Sequence, residues 1–595
     1  MATEIFDIEV YRDYFLVAFR DVDTLAVTTF EQWPDHPLDT RALRRHMSTR
    51  RLVSFNGKRF DAPLIALAIT GADCAALKIG CDDIIQNNVQ PWQFEDRHPC
   101  KIDPDWDHID LFDVAPGMAS LKIYAGRLHS VKLQDLPIDP SDSITPEMRE
   151  TLRDYCVNGD TIATLDLWIK LQPQIKLREQ MTEQFGVDLR SKSDAQIAEA
   201  VIKREVEKLL AKKVERPIIN PGTRFNYTPP EFISFSGQVL RDALTTVTST
   251  PFVVQAGGSV AMPKEISALK IRLGSSTYQM GIGGLHSTEK RVAHHADDDT
   301  LLIDRDVASY YPAIILNCGL YPKHMGSAFT KVYRGLVQRR LDAKHSGDKV
   351  TADSLKITIN GSFGKLGSMW SALYSPDLLI QTTLTGQLAL LMLIEMLEHH
   401  GVPVVSANTD GVVIKCPSAL VGVMSSVVSV WEMVTGFDTE DTHYRALYSR
   451  DVNNYIAIKP DGGWKAKGAY APAALQKNPT NEICAEAVRA FLIRGTPIEQ
   501  TISQCDDLRK FLTVRQVKGG CLDQQGEYLG RAARWYYSSL VAGPLRYKVN
   551  GYTVARSEGA MPCMVLPDSV PTDLDHEWYV QEAYSILTDV GYAPA

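Results

Sequence analysis

The stretch Asp306-Val307-Ala308-Ser309-Tyr310-Tyr311-Pro312 follows the apolar run Leu301-Leu302-Ile303, and its reading decides the second half of the chain. A short apolar run reads as a buried strand, and its end delivers Asp306 where a side chain can project into a cleft. A lone acidic residue there is usually a turn or cap group. Two later segments, in fixed order, shift that weighting. Lys356-Ile357-Thr358-Ile359-Asn360-Gly361-Ser362-Phe363-Gly364 puts a lysine on a helix, and Asn408-Thr409-Asp410-Gly411 puts a second carboxylate in a hairpin turn. If the strands carrying them are neighbours in one sheet, Asp306 and Asp410 converge. They can then hold two Mg²⁺ ions, one lowering the pKa of a primer 3′-hydroxyl and the other holding the leaving pyrophosphate. A lysine neutralises the triphosphate from the other side. This is the minimal equipment for nucleotidyl transfer.

Around this centre the periodicity predicts helices at about 328–345 and 351–363, joined by a Ser-Gly-Asp turn, and a buried helix over 378–400. Lys356, Asn360 and Phe363 fall at i, i+4 and i+7 and share a face, with Lys356 suited to phosphate and Phe363 to stacking near a base pair. Arg340 and Lys344, also i and i+4, can complete a cationic clamp. The bland alternative is a solvated basic face.

The N-terminal region carries a second acidic set. Asp7-Ile8-Glu9 lies on a predicted strand, where residues i and i+2 aim both carboxylates at one spot. Asp61 closes Asn56-Gly57-Lys58-Arg59-Phe60-Asp61, and Asp160 closes Tyr155-Cys156-Val157-Asn158-Gly159-Asp160. Four carboxylates around two Mg²⁺ ions suit phosphodiester hydrolysis by a metal-bound water. A strand Asp-x-Glu by itself is more often a solvated edge.

With 595 residues the chain is too long for one core, and two to four domains are expected. A net charge of −9 argues against a protein that coats nucleic acid non-specifically, but not against one with a local basic groove. Ten cysteines without paired spacing indicate neither a zinc site nor a disulfide framework, and reduced thiols in a cytoplasm are expected. No basic start followed by an apolar stretch opens the chain, so no leader is expected. Residues 1 to about 175 alternate strand and helix patterns, including neighbouring antiparallel strands at 5–10 and 14–18 and a helical pattern over 146–171. A charged helix over 193–213 leads into a Pro/Gly/Asn-rich boundary at 216–230, and 231–300 reads as β-rich.

Taken together these segments resemble family B DNA polymerases of bacteriophage or prophage type. Asp306, Ser309, Tyr311 and Pro312 match that family's first motif, and Lys356, Asn360 and Gly364 its second. In the third, Asn408 stands where the family has aspartate and Gly411 where it has serine. The resemblance implies that Asp306, Val307 and Asp410 are polymerase metal sites. It makes Lys356, Arg340, Lys344, Ser309, Tyr310, Tyr311, Asn360 and Phe363 nucleotide contacts, Tyr311 screening the sugar in favour of deoxynucleotides. It also implies DNA contacts from Lys465 and Lys467 in Lys465-Ala466-Lys467-Gly468, and from Tyr278, Gly283 and Gly284 in the glycine-rich stretch 278–286. The N-terminal set resembles the 3′–5′ exonuclease of proofreading polymerases, with Asp7, Glu9, Asp61 and Asp160 as metal ligands, Tyr155 orienting water and Asn56 touching DNA. The family places three residues between that tyrosine and aspartate; this chain has four, and one extra helical residue turns the tyrosine by about 100°.

The implied fold is an α/β and α+β multidomain chain, an RNase H-like exonuclease domain followed by a right-hand polymerase. Its parts are an exonuclease domain over 1–175, a helical linker over 176–230 and a first palm portion over 231–325. Short fingers over 326–366, a second palm portion with the catalytic hairpin over 367–480 and a thumb over 481–595 complete it. The family's domain ahead of the exonuclease is expected to be missing. There is no room for the insertions of protein-primed relatives, so priming by protein is not expected. Two Mg²⁺ in each site (Mn²⁺ as an alternative), primer–template DNA and dNTPs follow as ligands. Partners implied are a helicase, a primase or a single-strand-binding protein, for a monomer without membrane association in the cytoplasm of a bacterial host, replicating a phage genome. The rival readings are a 3′–5′ exonuclease whose degenerate polymerase half is a DNA clamp, a non-catalytic replication scaffold, and a primase-like enzyme.

Overall fold

Two sheets of different construction carry the two acidic sets. The computed structural model describes residues 2–593 apart from Gln134, Pro137 and Ala542. In the first sheet the strand Thr3–Val10 is central. It pairs antiparallel with Phe15–Asp21, which pairs with Val27–Gln32, and on its other side it runs parallel to Arg51–Ser54, which continues to His108–Asp110. Phe6, Ile8 and Val10 pack with the buried helix Asp61–Ile69 and with Leu77 and Cys81 of the helix Cys74–Asn87, which is capped by Asp73. Ile5, Val53 and Ile109 pack separately with Leu165, Leu167 and Trp168.

The helical pattern over 146–171 is not one α-helix. Pro146–Tyr155 and Thr161–Lys170 are α-helical, and Cys156–Asp160 between them is a π turn in which the Thr161 N–H donates to the Cys156 carbonyl. A π turn accommodates one additional residue without breaking the helix. Val157's carbonyl accepts from the buried Arg20 guanidinium at 2.8 Å and from the Thr161 hydroxyl at 2.5 Å.

The second sheet is antiparallel throughout, in the order Thr439–Tyr444, Thr300–Val307, Gly411–Pro417, Val404–Asn408, Gly284–Ser287, Ser276–Gly281, Ile271–Leu273. Ile303, Ala407, Val412 and Ile414 pack with Leu384, Leu388 and Leu391 of the helix Pro376–His399, which is buried along most of its length. By length and hydropathy that helix and the run Ser418–Thr435 could each cross a membrane; the first is a core helix here. The 231–300 region is less β-rich than its composition suggests, because Gln238–Ser249 is a helix. Its threonines and valines favour strand, but Leu240, Ala243 and Val247 recur at helical spacing and are buried.

Beyond the second sheet stands a helical hairpin, Ser327–Ser346 and Lys349–Leu366, turning at Gly347 with φ 77°. The helix Asp194–Leu210, capped by Ser193, lies against it, so that Ile197, Val201, Leu336, Leu355 and Ile359 form one core. The crossing is close at Gly361, where a Cβ would sit 2.6 Å from the Asp194 carbonyl oxygen and 3.1 Å from the Ala198 Cβ. A smaller sheet of Val292–His295, Ala446–Asp451, Asn454–Ile458 and Trp464–Ala466 brings Lys465 beside the second sheet. The run Arg531-Ala532-Ala533-Arg534-Trp535-Tyr536-Tyr537 lies in the C-terminal strand Tyr528–Tyr537, with Trp535 and Tyr537 in the core. Arg534, fully buried there, donates to the carbonyls of Ser130 and Cys563 at 2.7 Å each and so ties the C-terminal sheet to the N-terminal region.

Alanine is a better helix former than glycine by about 1 kcal/mol. Gly361→Ala is nevertheless expected to destabilise, because overpacking against a backbone oxygen costs about 1–3 kcal/mol. Thermal unfolding of the purified variant checks this: a lowered midpoint is expected, and a raised one would remove the close crossing.

Candidate functional site

In the second sheet Asp306 lies directly opposite Gly411, so Asp410, one residue back in the turn, comes beside it. The Val307 N–H donates to the Asp410 carbonyl at 2.8 Å and stitches the two segments together. Thr409 takes a left-handed φ of 61°, and its N–H donates to the Leu285 carbonyl at 2.8 Å. That approach requires Gly284, where a Cβ would stand 2.9 Å from the Thr409 Cα. Gly411 is equally constrained, since a Cβ there would lie 2.1 Å from Asp306 Oδ1 and 3.0 Å from the Arg305 carbonyl. The serine of the resembled motif would displace the Asp306 carboxylate; glycine leaves it room.

The carboxylates open into a cleft of about 190 Å³ that Asp304, Tyr455, Lys465 and Lys467 also line. Asp304 was not singled out in the sequence, although Asp304-x-Asp306 repeats the alternation of Asp7-x-Glu9. It is buried, accepts from the Tyr444 hydroxyl at 2.7 Å and from Lys465 Nζ at 3.2 Å, and the same ammonium is 3.8 Å from Asp306 Oδ2. Burial, then the charge of Asp304, pushes Asp306 up to about 6 despite Lys465. Burial also raises Asp410, opposed by Lys467 and Lys465. Burial works against the charged form of Lys465, yet the attraction of Asp304, Tyr455 and Asp306 prevails and raises it.

The expected nucleotide contacts divide. Tyr311 and Phe363 stack face to face with ring centroids 4.1 Å apart, and the Tyr311 hydroxyl donates to the Gly283 carbonyl at 3.0 Å. Arg340 donates to the Ser309 hydroxyl at 3.3 Å. Lys356, Asn360 and Gly364 are exposed and line a groove of about 1000 Å³ against the helix Gln172–Phe185, while Lys344 is exposed at the end of its helix. Tyr310 is not available to a ligand: it is buried and its hydroxyl donates to the Gly386 carbonyl at 2.5 Å. Tyr278 and Gly284, expected to touch DNA, are buried too. The Tyr278 ring is core, with its hydroxyl on the Val404 carbonyl at 3.3 Å, and Gly284 serves the chain's own hairpin; Gly283 remains exposed.

In the first sheet Asp7 and Glu9 share one face, and the Cys156 thiol is 3.7 Å from Asp7 Oδ2. Ligand atoms of Asp7, Glu9 and Cys156 lie within 4.8 Å of one another. The π turn keeps Tyr155 with this group despite the added residue: Lys122 Nζ lies over the Tyr155 ring at 4.2 Å and also binds the Asp160 carboxylate. Asp61 opens the helix Asp61–Ile69 from a loop held by Asp110, whose carboxylate accepts from the N–H groups of Asn56 at 2.7 Å and Lys58 at 3.0 Å. Asn56 itself has a φ of 67°. Lys122 and Asp110 were missed because each is contributed by fold rather than by local pattern, and Cys156 because a lone cysteine beside Tyr155 carries no metal-ligand spacing. Burial, then Asp160, pushes Asp7 up to about 7; burial, then Asp7, raises both Glu9 and Asp61.

Both sets fit hard divalent cations. Among the described residues Asp61 Oδ1 is buried with no hydrogen-bond partner, and burial, then the carboxylates around it, raise its pKa. These carboxylate oxygens suit Mg²⁺ or Mn²⁺, with the Cys156 thiol as a softer neighbour. Asp306 and Asp410 offer the same donors at the cleft.

No protein-family model matches the chain, and no curated protein matches it in sequence. Among solved structures it is similar to the family B DNA polymerase from the hyperthermophilic archaeon Pyrobaculum calidifontis. The identity is 15%, all of this chain and 78% of that chain are covered, and the TM-score is 0.42. So distant a likeness leaves the chemistry to the geometry above.

A carboxyl with a folded pKa above its unfolded one stabilises the fold in its protonated form. For Asp7 that contribution is complete below the ordinary 3.8 and is lost as pH rises through about 7. Thermal midpoints of metal-stripped protein should therefore rise with added Mg²⁺ more at pH 8 than at pH 5, and Asp7→Asn should shrink that difference. An equal Mg²⁺ effect at both pH values would contradict the arrangement.

Proposed function

We propose that this chain is a template-directed DNA polymerase that extends a primer with dNTPs and carries a 3′–5′ proofreading exonuclease. The observation that supports the reading most is the strand register that sets Asp410 beside Asp306. Divalent cations held there would activate the primer 3′-hydroxyl and hold the departing pyrophosphate. The chain's own groups do the rest. Asp306 and Asp410 would hold those cations at the cleft. Lys356, two helical turns or about 10 Å from Phe363 along its helix, meets the triphosphate, with Arg340 and Lys344 on the neighbouring helix. The Tyr311 ring, braced by Phe363 and by the Gly283 carbonyl, occupies space that a ribose 2′-hydroxyl would need. Lys465 and Lys467 stand over the carboxylates, where a primer terminus brings phosphate.

In the N-terminal site Asp7, Glu9, Asp61 and Asp160 gather the charge needed for phosphodiester hydrolysis, Tyr155 orients the attacking water and Lys122 holds Asp160 and Tyr155 in place. The strand arrangement of the first sheet, three antiparallel strands followed by two parallel ones, is compatible with the RNase H-like expectation. The short helical hairpin 327–366 leaves no room for the insertion of protein-primed relatives, which supports priming without protein.

Primer extension on a longer labelled template with Mg²⁺ tests the reading. Asp410→Asn is expected to lose extension at least about 100-fold while keeping primer shortening without dNTPs, since loss of a metal ligand exceeds the cost of losing its supports. Asp7→Ala should do the reverse. Shortening with no extension by the unaltered chain would sink the polymerase reading.

A further inference from the structure

Asn408 and Gly411, two departures from the resembled third motif, pair with each other across the hairpin. Gly411 makes room for Asp306. Asn408 has a different job, and its amide is engaged at both ends. Nδ2 donates to the Val452 carbonyl at 2.9 Å and lies 3.5 Å from Asn453 Oδ1, while Oδ1 accepts from the Thr409 hydroxyl at 3.1 Å. A backbone carbonyl only accepts, so the amide nitrogen must face it.

Val452 and Asn453 form the turn between the strands Ala446–Asp451 and Asn454–Ile458 of the small sheet. This turn is stiff. Asp451 Oδ1 accepts from the Asn453 N–H at 3.0 Å and from Asn454 Nδ2 at 2.8 Å, and Asn454 Oδ1 accepts from the Ala469 N–H at 2.8 Å. Gly468, at φ 63°, presses so closely that a Cβ would lie 2.2 Å from the Asn453 carbonyl oxygen. The adjoining strand pairs Lys465 with Ala457, and the Lys467 N–H donates to the Tyr455 carbonyl at 3.0 Å. Backbone, strand pairing and these hydrogen bonds together thus connect the Asn408 amide to the segment that carries both lysines. From the other side Asp304, braced by Tyr444, holds the Lys465 ammonium.

We propose that Asn408 is a positioning residue that ties the small sheet to the carboxylate hairpin, holding Lys465 and Lys467 over Asp306 and Asp410, and that a carboxylate at this position works less well than the amide. A carboxylate would set oxygen against the Val452 carbonyl and leave both unpaired. It would also add a fourth carboxylate to a cleft where Asp304, Asp306 and Asp410 already repel. The part the lysines play rests on the polymerase reading; the tie itself does not.

The test compares Asn408→Asp with the unaltered chain, each also in a Lys465→Ala/Lys467→Ala background, by steady-state primer extension and by amide hydrogen exchange. Asn408→Asp is expected to lower extension about tenfold, mostly through KM for primer–template. The same change should cost under about twofold once the lysines are gone, and primer shortening should stay unaltered. Exchange should quicken over residues 451–467 and stay unchanged in the N-terminal sheet. Extension equal to or above that of the unaltered chain would mean that position 408 favours a metal-binding carboxylate, and would overturn the proposal. A loss of the same size without the lysines would overturn the route through them, and unchanged exchange over 451–467 would overturn the tie. If the unaltered chain extends no primer, the polymerase reading fails separately, and exchange alone decides whether the tie exists.

Discussion

Like charges held together against their own repulsion are the constraint around which both halves of this protein are built. Asp306 and Asp410 meet because an antiparallel register leaves no other place for them, and Asp7, Glu9 and Asp61 meet in a region dry enough to raise all three. Such an arrangement costs several kcal/mol in an ordinary protein and persists only where the surrounding fold over-determines it. Here the over-determination is visible. A long buried helix underlies the second sheet, and glycines at 284 and 411 admit the hairpin and the carboxylate. Lys465, shared between Asp304 and Asp306, and Lys122, bound to Asp160, stand as partial counter-charges. Neither supplies enough positive charge for its site.

The N-terminal cluster solves a separate problem of helical phase. One residue too many between Tyr155 and Asp160 would carry the tyrosine around an α-helix, away from the acids. The π turn Cys156–Asp160 takes up that residue, and Arg20 from the neighbouring strand satisfies a carbonyl of the wide turn. Cys156, the first residue of that turn, sets its thiol 3.7 Å from Asp7 Oδ2.

Much of this was legible in the chain because alternation and turn chemistry are local. Asp7-x-Glu9 on one strand face, the Asn-Thr-Asp-Gly hairpin and the paired helices around Gly347 follow from period and punctuation alone. What stayed hidden depends on distant chain meeting in space. Asp304 is buried under a lysine 161 positions away, and Asp110 stages a loop 54 positions before it. Tyr310 and Tyr278 lie in stretches that resemble functional ones, yet packing turns their rings into the core. The helix at 238–249 was obscured by β-branched residues, whose strand preference yields to three buried side chains at helical spacing. Asn408 reads as a lost ligand in the sequence; its hydrogen bonds give it a structural use.

Direct counting of bound ions bears most closely on the claim that each cluster is a separate cation site. Mn²⁺ titrated into the metal-stripped chain, followed by electron paramagnetic resonance, should report two classes of bound ion. Asp306→Asn should remove one class and Glu9→Gln the other, each leaving its counterpart intact. Binding undiminished by either substitution, or abolished entirely by one, would contradict two independent carboxylate centres.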